Sequence, residues 1–250
     1  MEYNIFTCCN GIYTHFVPIF IFSHLYHNPD AFIEVCWDNS IDDEIYVALK
    51  YLNHLYPNKF LVRSALIGRA IINNQLFSCP PNTNRFIETP YIKTDFVYIS
   101  DVDIICTLGN IKKDHVNNMK KTGSPYSNIV RPGNKKKLSG LHFTPYDNYY
   151  PIPDLSEIIT FLQGNDECFL YELIKKRYPE FNNAASWRPV HGIHASPNRQ
   201  PDGEINWGIA KRANEWIRFR NSKEFLYFEN ISTPFIKNIF KKIDDFKEKV

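Results

Sequence analysis

Alternating strands and helices along the first 60 residues limit what this chain can fold into. The sequence predicts strands at 3–8 and 32–37, and it predicts a helix with an apolar stripe after each of them, at 13–26 and 41–56. The order strand, helix, strand, helix is typical of βαβ units, in which successive strands lie parallel and helices cover the sheet. The sequence therefore predicts an α/β fold with a mixed, mostly parallel sheet flanked by helices.

The rest of the chain follows the same two kinds of element less regularly. Further strands are predicted at 60–66, 96–99 and 187–195, and further helices at 67–77, 110–121, 154–162 and 166–177. A chain of 250 residues with a hydrophobic content of 44% can bury one large core. We therefore expect one globular unit that carries these elements.

Charge and cysteine content exclude some classes of function. The 29 basic and 27 acidic residues leave a net charge of only +2, so nothing in the total suggests a nucleic-acid partner. The six cysteines show no Cys-x-x-Cys spacing, which favours a reducing compartment over a disulfide framework. The amino terminus has no basic segment of the kind that opens a signal peptide. We expect a cytoplasmic protein.

Two aspartates separated by one residue follow the apolar run 96–99. Side chains two positions apart on an extended segment point the same way, so Asp101 and Asp103 can reach one point while Val102 faces the core. Hard divalent cations prefer oxygen ligands such as carboxylates. In open α/β sheets, ligands bind beyond the carboxyl ends of the strands, where the polar segment 7–13 would also lie. The pattern predicts either a cation site in that crevice or a solvated turn.

Two later segments carry polar groups suited to ligand binding. Residues 137–150 combine aromatic rings with small polar groups, among them His142, Thr144 and Tyr146, and so could form a wall that contacts a flat polar ligand. An ordinary strand and turn with a hydrogen-bonded histidine fits that segment equally well. Asp166 and Glu167 begin a predicted helix, where acidic residues also stabilise the helix N-terminus without any other role.

Taken together and in order, these short motifs resemble a metal-dependent glycosyltransferase of the GT-A fold. The motifs are 7–13, 96–103, 142–144, 166–167 and 191–194. The chain is most similar to the retaining family-eight galactosyl- and glucosyltransferases of bacterial lipopolysaccharide or capsule synthesis, and its Asp-Glu helix start is also similar to the family-six enzymes. The resemblance covers about residues 3 to 200. It implies a GT-A catalytic domain over 1–208 and a C-terminal helical extension over 209–250.

The resemblance also implies a metal site and a reaction centre. Asp101 and Asp103 would hold Mn²⁺ or Mg²⁺ against the diphosphate of a nucleotide sugar, and His194, or alternatively His191, would complete the metal site. Glu167 and Asp166 would lie beside the anomeric carbon of the transferred sugar. A carboxylate in that place can stabilise an oxocarbenium-like centre, act as a nucleophile or accept the proton of the acceptor.

Donor binding is assigned by the same resemblance, and the donor it implies is a UDP-sugar. The residues at donor-binding positions are Thr7, Asn10, Tyr13, Arg85 and Arg199. Asn10 stands where the family has an aspartate, which changes a charged acceptor of hydrogen bonds into an amide and leaves the base open. His142, Thr144 and Tyr146 are our candidates for substrate contacts. The implied acceptor is a saccharide or a lipid-linked saccharide.

The last residues form a basic amphipathic helix. Its apolar stripe comprises Phe235, Ile236, Ile239, Phe240, Ile243 and Phe246, and its lysines lie mostly off that stripe. Such a helix can lie on an anionic membrane surface, where lipid-linked acceptors would be presented. The alternative is that the stripe packs on the core or on a second subunit.

Two other kinds of function fit paired aspartates at a strand end. One is another metal-dependent enzyme of nucleotidyl or phosphate transfer. The chain has no glycine-rich phosphate loop that would support it. The other is a non-catalytic saccharide-binding protein with the same fold. The donor sugar, the acceptor, the linkage, retention or inversion of configuration and the oligomeric state are left open by the sequence.

Overall fold

The structure is a computed structural model that describes residues 2–38, 42–131, 133, 136–180, 187–196 and 206–247. Its strands are β1 Tyr3–Cys9, β2 Phe32–Trp37, β3 Phe60–Ser64, β4 Arg69–Ile72, β5 Gln75–Ser78, β6 Phe96–Ile99, β7 Ile104–Cys106, β8 His142–Pro145 and β9 Gly192–His194. Its α-helices are α1 Val17–His27, α2 Asp43–Leu55, α3 Asn84–Ile87, α4 Ile111–Thr122, α5 Tyr146–Tyr149, α6 Ile159–Leu162, α7 Asp166–Arg177, α8 Asn206–Arg220, α9 Lys223–Ile231 and α10 Pro234–Lys247.

The central sheet has the strand order β3-β2-β1-β6-β8. Strands β1, β2, β3 and β6 run parallel, and β8 runs antiparallel to β6 along one edge. Burial of every residue of β1 and β2 is expected for strands covered by helices on both faces. The predicted α/β fold with a mostly parallel sheet is thereby confirmed. Because β1 and β6 are parallel neighbours, the segments that follow them meet at one edge of the sheet.

A two-stranded sheet stands beyond the carboxyl end of β6. Strand β7 pairs antiparallel with β9, and Ile104 lies opposite His194. Gly192 permits this pairing, since a Cβ atom there would lie 2.4 Å from the carbonyl oxygen of Ile105. The pairing brings a strand from late in the sequence to the segment that follows β6.

The prediction of a helix at 67–77 is wrong, because this segment forms the hairpin of β4 and β5. Its two turn residues, Asn73 and Asn74, have φ angles of 50° and 62°. Two left-handed residues between paired strands are typical of a two-residue hairpin turn, and asparagine tolerates that conformation. Alternating burial along β4 agrees with a strand, while its apolar residues alone also fit a helical spacing.

Three other predicted elements have different bounds. The helix expected at 154–162 is a short 3₁₀ turn, Ser156–Ile158, followed by the single turn of α6. The strand expected at 187–195 is reduced to β9. The first helix begins with a 3₁₀ segment, Gly11–Phe16, before α1. In each case the apolar pattern located buried residues but did not fix where backbone hydrogen bonding begins and ends.

The C-terminal helices pack on the sheet side that also holds α1. Ile236, Ile239, Phe240 and Ile243 of α10 are buried in the same hydrophobic core as α1. The apolar face of α10 is therefore covered by protein, as the packing alternative predicts, and is not exposed for insertion into lipid. Within the described residues, no helix combines the length and the apolar character needed to cross a membrane.

Because His24 and His142 are buried in the interior, we expect acid to destabilise the fold. Burial lowers the pKa of His24 and of His142 from 6.5 to about 3. Between these values the unfolded chain binds a proton at each histidine that the folded chain does not bind. The free energy of unfolding should therefore decrease as the pH falls below 6.5, by at most about 1.4 kcal/mol per pH unit for each histidine. We expect a melting temperature, measured by circular dichroism, that is clearly lower at pH 5 than at pH 7.

The substitution His142→Gln tests the source of this pH dependence. It removes one of the buried histidines whose pKa is lowered, so the melting temperature of the variant should depend less steeply on pH than that of the wild type. His54→Gln, at an exposed position of α2, is the control for the effect of the substitution itself on the melting temperature at pH 7. A wild-type melting temperature that is the same at pH 7 and pH 5 would contradict the prediction.

Candidate active site

A cleft of about 430 Å³ opens at the carboxyl edge of β1 and β6. Its walls come from the segment after β1, the segment after β6, the start of α3, the start of α7 and the end of β9. The residues that line it are Cys8, Cys9, Asn10, Tyr13, Pro81, Asn82, Arg85, Asp101, Val102, Asp103, Arg131, Gly140, Asn165, Asp166, Glu167, His194 and Ser196. Most of the predicted catalytic, donor-binding and metal residues therefore lie in one cleft, at the edge of the sheet where parallel α/β folds bind ligands.

Asp101, Asp103 and His194 form the polar cluster on one side of the cleft. One ligand atom from each residue can be chosen such that all three lie within 4.8 Å of one another. Nε2 of His194 is 3.1 Å from Oδ1 of Asp103. Two carboxylate oxygens and an imidazole nitrogen fit Mn²⁺, which accepts both kinds of ligand. The donor set therefore fits the divalent cation that the resemblance implies.

The backbone holds this cluster by pairing across the cleft. The amide of Ala195 donates to the carbonyl oxygen of Asp103 at 2.9 Å, directly beside His194. His191, the alternative metal ligand, is buried outside the cluster, and its nearest carboxylate is Asp114 at 3.9 Å. Burial also lowers the pKa of His191 to about 4. The geometry therefore favours His194 over His191 as the third ligand.

Arg85 joins two of the acidic residues of the cleft. Its guanidinium lies 2.6 Å from Oδ1 of Asp101 and 2.8 Å from Oδ2 of Asp166, and its side chain is only 4% exposed. Burial alone would lower the pKa of Arg85, but the charges of Asp101, Asp166 and Asp103 outweigh it and raise the pKa. Burial raises the pKa of Asp166, as do the nearby Asp101 and Glu167, while Arg85 opposes that shift. Arg85 therefore compensates negative charge that the cleft concentrates.

Glu167 is held separately, at the start of α7. The Asn165 side chain caps this helix by accepting from the amides of Glu167 and Cys168. The Glu167 carboxylate accepts from Arg131, whose Nε is 2.8 Å from Oε1, and from the amide of Gly140 at 3.2 Å. The two adjacent acids of α7 thus have different partners.

The segment after β1 forms another part of the cleft wall. Asn10 and Tyr13 line the cleft, and the Tyr13 hydroxyl lies 3.4 Å from Oγ of Ser196. Gly11 has a φ angle of +54°, and its amide donates to Asp38 at 3.4 Å. This left-handed glycine lets the chain turn sharply from the end of β1 into the segment that carries Tyr13.

The predicted substrate wall does not lie in the cleft. His142 and Thr144 are buried, and His142 contacts Nδ2 of Asn128 through its Nδ1 at 3.1 Å. Strand β8 runs antiparallel to β6, so successive residues after His142 move away from the carboxyl edge of β6. Tyr146 accordingly lies near the other end of β6, where its amide donates to the carbonyl oxygen of Asp95. The structure therefore places these three residues outside the lining of the cleft.

The remaining predicted donor-binding residues are Thr7 and Arg199. Thr7 is a fully buried residue inside β1 and does not line the cleft. Arg199 lies outside the described residues. Sequence reasoning also missed Arg131, Gly140 and Ser196. No sequence signal marks Arg131, because it lies in an irregular loop and its partner is 36 residues away.

Three solved structures align with this chain to different extents. An active-site mutant of LgtC aligns with a TM-score of 0.52 and 11% identity, over 92% of this chain and 95% of that chain. The glycosyltransferase GlyE of Streptococcus pneumoniae TIGR4 aligns with a TM-score of 0.48 and 14% identity, over 70% of this chain and 44% of GlyE. Staphylococcus aureus TarS aligns with a TM-score of 0.44 and 12% identity, over 94% of this chain and 43% of TarS.

The alignment with LgtC supports the fold and not the activity. This chain spans less than half of GlyE, and nearly the whole of LgtC. No family model matches the sequence, and no curated protein sequence matches it. The class that the fold and the cleft define is an α/β protein of the GT-A type, as the sequence predicts.

Proposed function

We propose that this chain is a glycosyltransferase that moves a sugar from a nucleotide-diphosphate donor, a UDP-sugar, to a saccharide acceptor. The observation that carries the proposal is the cluster of Asp101, Asp103 and His194 beside Asp166 and Glu167, in one cleft at the carboxyl edge of a GT-A sheet. This arrangement separates a site suited to a metal ion from carboxylates suited to act on a sugar. Both suit the transfer of a glycosyl group from a diphosphate.

The metal site would serve the leaving group. Asp101, Asp103 and His194 would hold Mn²⁺ or Mg²⁺, which as a Lewis acid stabilises the negative charge of a departing diphosphate. Asn10 and Tyr13, which line the cleft at the same edge of the sheet, would hold the nucleoside. The donor would thereby lie along the cleft, with its diphosphate between the metal-binding cluster and the segment after β1.

The reacting sugar would lie at the start of α7. In the reaction the bond between the anomeric carbon and the diphosphate breaks, and the diphosphate takes the electron pair. The acceptor oxygen forms the new bond, and its proton passes to a base. Glu167 is our candidate for the carboxylate that stabilises or attacks the anomeric carbon, with Asp166 beside it. We further propose retention of configuration, as in the family-eight enzymes that the motifs resemble.

The proposed setting is bacterial surface polysaccharide synthesis in the cytoplasm, with a saccharide or lipid-linked saccharide as acceptor. Support comes from the resemblance of the motifs and from the α10 helix, which exposes Lys237, Lys241 and Lys242. Since the apolar face of α10 is buried, contact with an anionic membrane would be electrostatic and peripheral.

A thermal-shift screen of nucleotide sugars with and without Mn²⁺ tests the proposed function. A ligand that binds only the folded state raises the melting temperature, and a concentration of 100 times the dissociation constant stabilises by about 2.7 kcal/mol. For a chain of this size we expect an increase of roughly 5 to 10 °C that requires Mn²⁺. Addition of EDTA should reverse it.

The control for that screen is each nucleotide sugar in the absence of metal. The same shift without metal would point to a saccharide-binding protein that does not use a metal ion at the polar cluster. If no nucleotide sugar stabilises the protein with or without Mn²⁺, the glycosyltransferase proposal is wrong.

A further inference from the structure

The Glu167 carboxylate is bound through only one of its two oxygens. Arg131 donates to Oε1 through both Nε and a terminal nitrogen, and the amide of Gly140 donates to the same Oε1 at 3.2 Å. Across the described parts of the chain, no group donates to Oε2. Because Glu167 lines the cleft and its side chain is 16% exposed, Oε2 is the oxygen left to meet a ligand.

The backbone around this ion pair is tied together at several points. The amide of Arg131 donates to the carbonyl oxygen of Lys137 at 2.8 Å. The amide of Leu138 donates to the carbonyl oxygen of Glu167 at 3.1 Å. These two bonds connect the backbone of Arg131, through Lys137 and Leu138, to the first turn of α7, and so fix the position from which the guanidinium reaches the carboxylate.

The two arginines of the cleft have separate partners. Arg85 is paired with Asp101 and Asp166, and Arg131 is paired with Glu167. The Arg131 side chain is 40% exposed, against 4% for Arg85. An exposed ion pair contributes little to stability. Stability alone therefore does not account for a pair that fixes one carboxylate oxygen in the cleft.

We propose that Arg131 is a positioning residue: it fixes Oε1 of Glu167 so that Oε2 faces the anomeric carbon of the donor sugar. This inference rests on the proposed function. A carboxylate free to rotate would present either oxygen in many orientations, and a misplacement of about 1 Å at a reacting centre can lower the rate by about 100-fold. Arg131 acts through Glu167 and does not contact the donor.

The test measures UDP release from UDP-galactose, UDP-glucose and UDP-N-acetylglucosamine with Mn²⁺, with water as the acceptor, together with the dissociation constant of each donor. For Arg131→Gln we expect kcat to fall by about 10- to 100-fold while the dissociation constant and KM stay within about threefold. Arg131→Lys should restore part of the rate, since it keeps the charge. Arg218→Gln, at an exposed position of α8, is the matched control and should match the wild type.

A double substitution separates positioning from direct contact. If Arg131 acts through Glu167, the variant with both Arg131→Gln and Glu167→Gln should be as slow as Glu167→Gln alone. Multiplied effects, an increased KM with unchanged kcat, or an unchanged kcat in Arg131→Gln would each overturn the positioning role. If the wild type released UDP from none of the donors, the proposed function itself would be overturned and this role with it. If Arg131→Gln failed to fold, the kcat of Arg131→Lys, combined with Glu167→Gln in the same way, would decide.

Discussion

Replacing Arg85 with methionine should lower the free energy of unfolding by about 3 to 5 kcal/mol, because it leaves the largely buried Asp166 carboxylate without the cation that pairs with it. The guanidinium contacts Asp101 at 2.6 Å and Asp166 at 2.8 Å, and it is almost fully buried. Methionine fills similar space without a charge. In a chain of this size we expect the melting temperature to fall by roughly 6 to 20 °C. Chemical and thermal denaturation both measure this effect.

Two further variants show whether charge or volume is responsible. Arg85→Lys should recover only part of the loss, since an ammonium group cannot bridge two carboxylates as a planar guanidinium does. Arg218→Met is the matched control, because Arg218 is exposed on α8. Mn²⁺ should stabilise Arg85→Met more than it stabilises the wild type, since the cation would replace some of the lost positive charge near Asp101. A melting temperature within about 2 °C of the wild type would show that Arg85 is not needed to compensate these carboxylates.

The sequence predicts the central sheet because its strands carry an unambiguous local signal. Strands β1, β2 and β6 are short, mostly apolar and almost entirely buried, and a polar residue follows each of them directly. The acidic pair after β6 could be placed in a crevice for the same reason, since the ends of parallel neighbours meet at one edge. The local sequence pattern after β6 is therefore enough to place Asp101 and Asp103 at the edge of the sheet.

Long-range pairings could not be predicted in the same way. Buried Glu34 in the middle of β2 is paired with Arg63 on β3 at 2.8 Å, a contact that no pattern within either strand reveals. The position of His194 in the polar cluster depends on the register between β7 and β9, which joins segments far apart in sequence. The pair of Arg131 and Glu167 depends on where an irregular loop docks. These contacts are consequences of tertiary packing and not of local propensity.

The position of the predicted substrate wall outside the cleft has a related cause. The residues from His142 to Tyr146 have the composition of a binding wall, but composition does not state the direction of a strand. Only the antiparallel pairing of β8 with β6 shows that the segment leads away from the cleft. Aromatic and imidazole groups then pack in the interior, where His142 and Tyr149 lie with ring centroids 5.5 Å apart.

The substitutions Asp101→Asn and Asp103→Asn, made together, should abolish the Mn²⁺-dependent increase in melting temperature produced by a nucleotide sugar. Asparagine keeps the size of the side chain but removes the negative charge that a divalent cation requires. Without metal, the fold should survive, because Arg85 keeps Asp166 as its partner at 2.8 Å and the backbone bond from Ala195 to Asp103 does not depend on the side chain. Transfer of the sugar should fall by at least about 100-fold, since the diphosphate would leave without its Lewis acid.

The matched control for the acidic pair is Asp147→Asn. The Asp147 side chain is 75% exposed and pairs only at the surface, with Lys93 at 2.7 Å. This variant should bind Mn²⁺ and the nucleotide sugar as the wild type does. Titration of Mn²⁺ followed by electron paramagnetic resonance measures metal binding directly, independent of turnover. If the variant that lacks both Asp101 and Asp103 still bound Mn²⁺ with wild-type affinity, these carboxylates would not be the metal ligands, and the proposed division between metal site and reaction centre would be wrong.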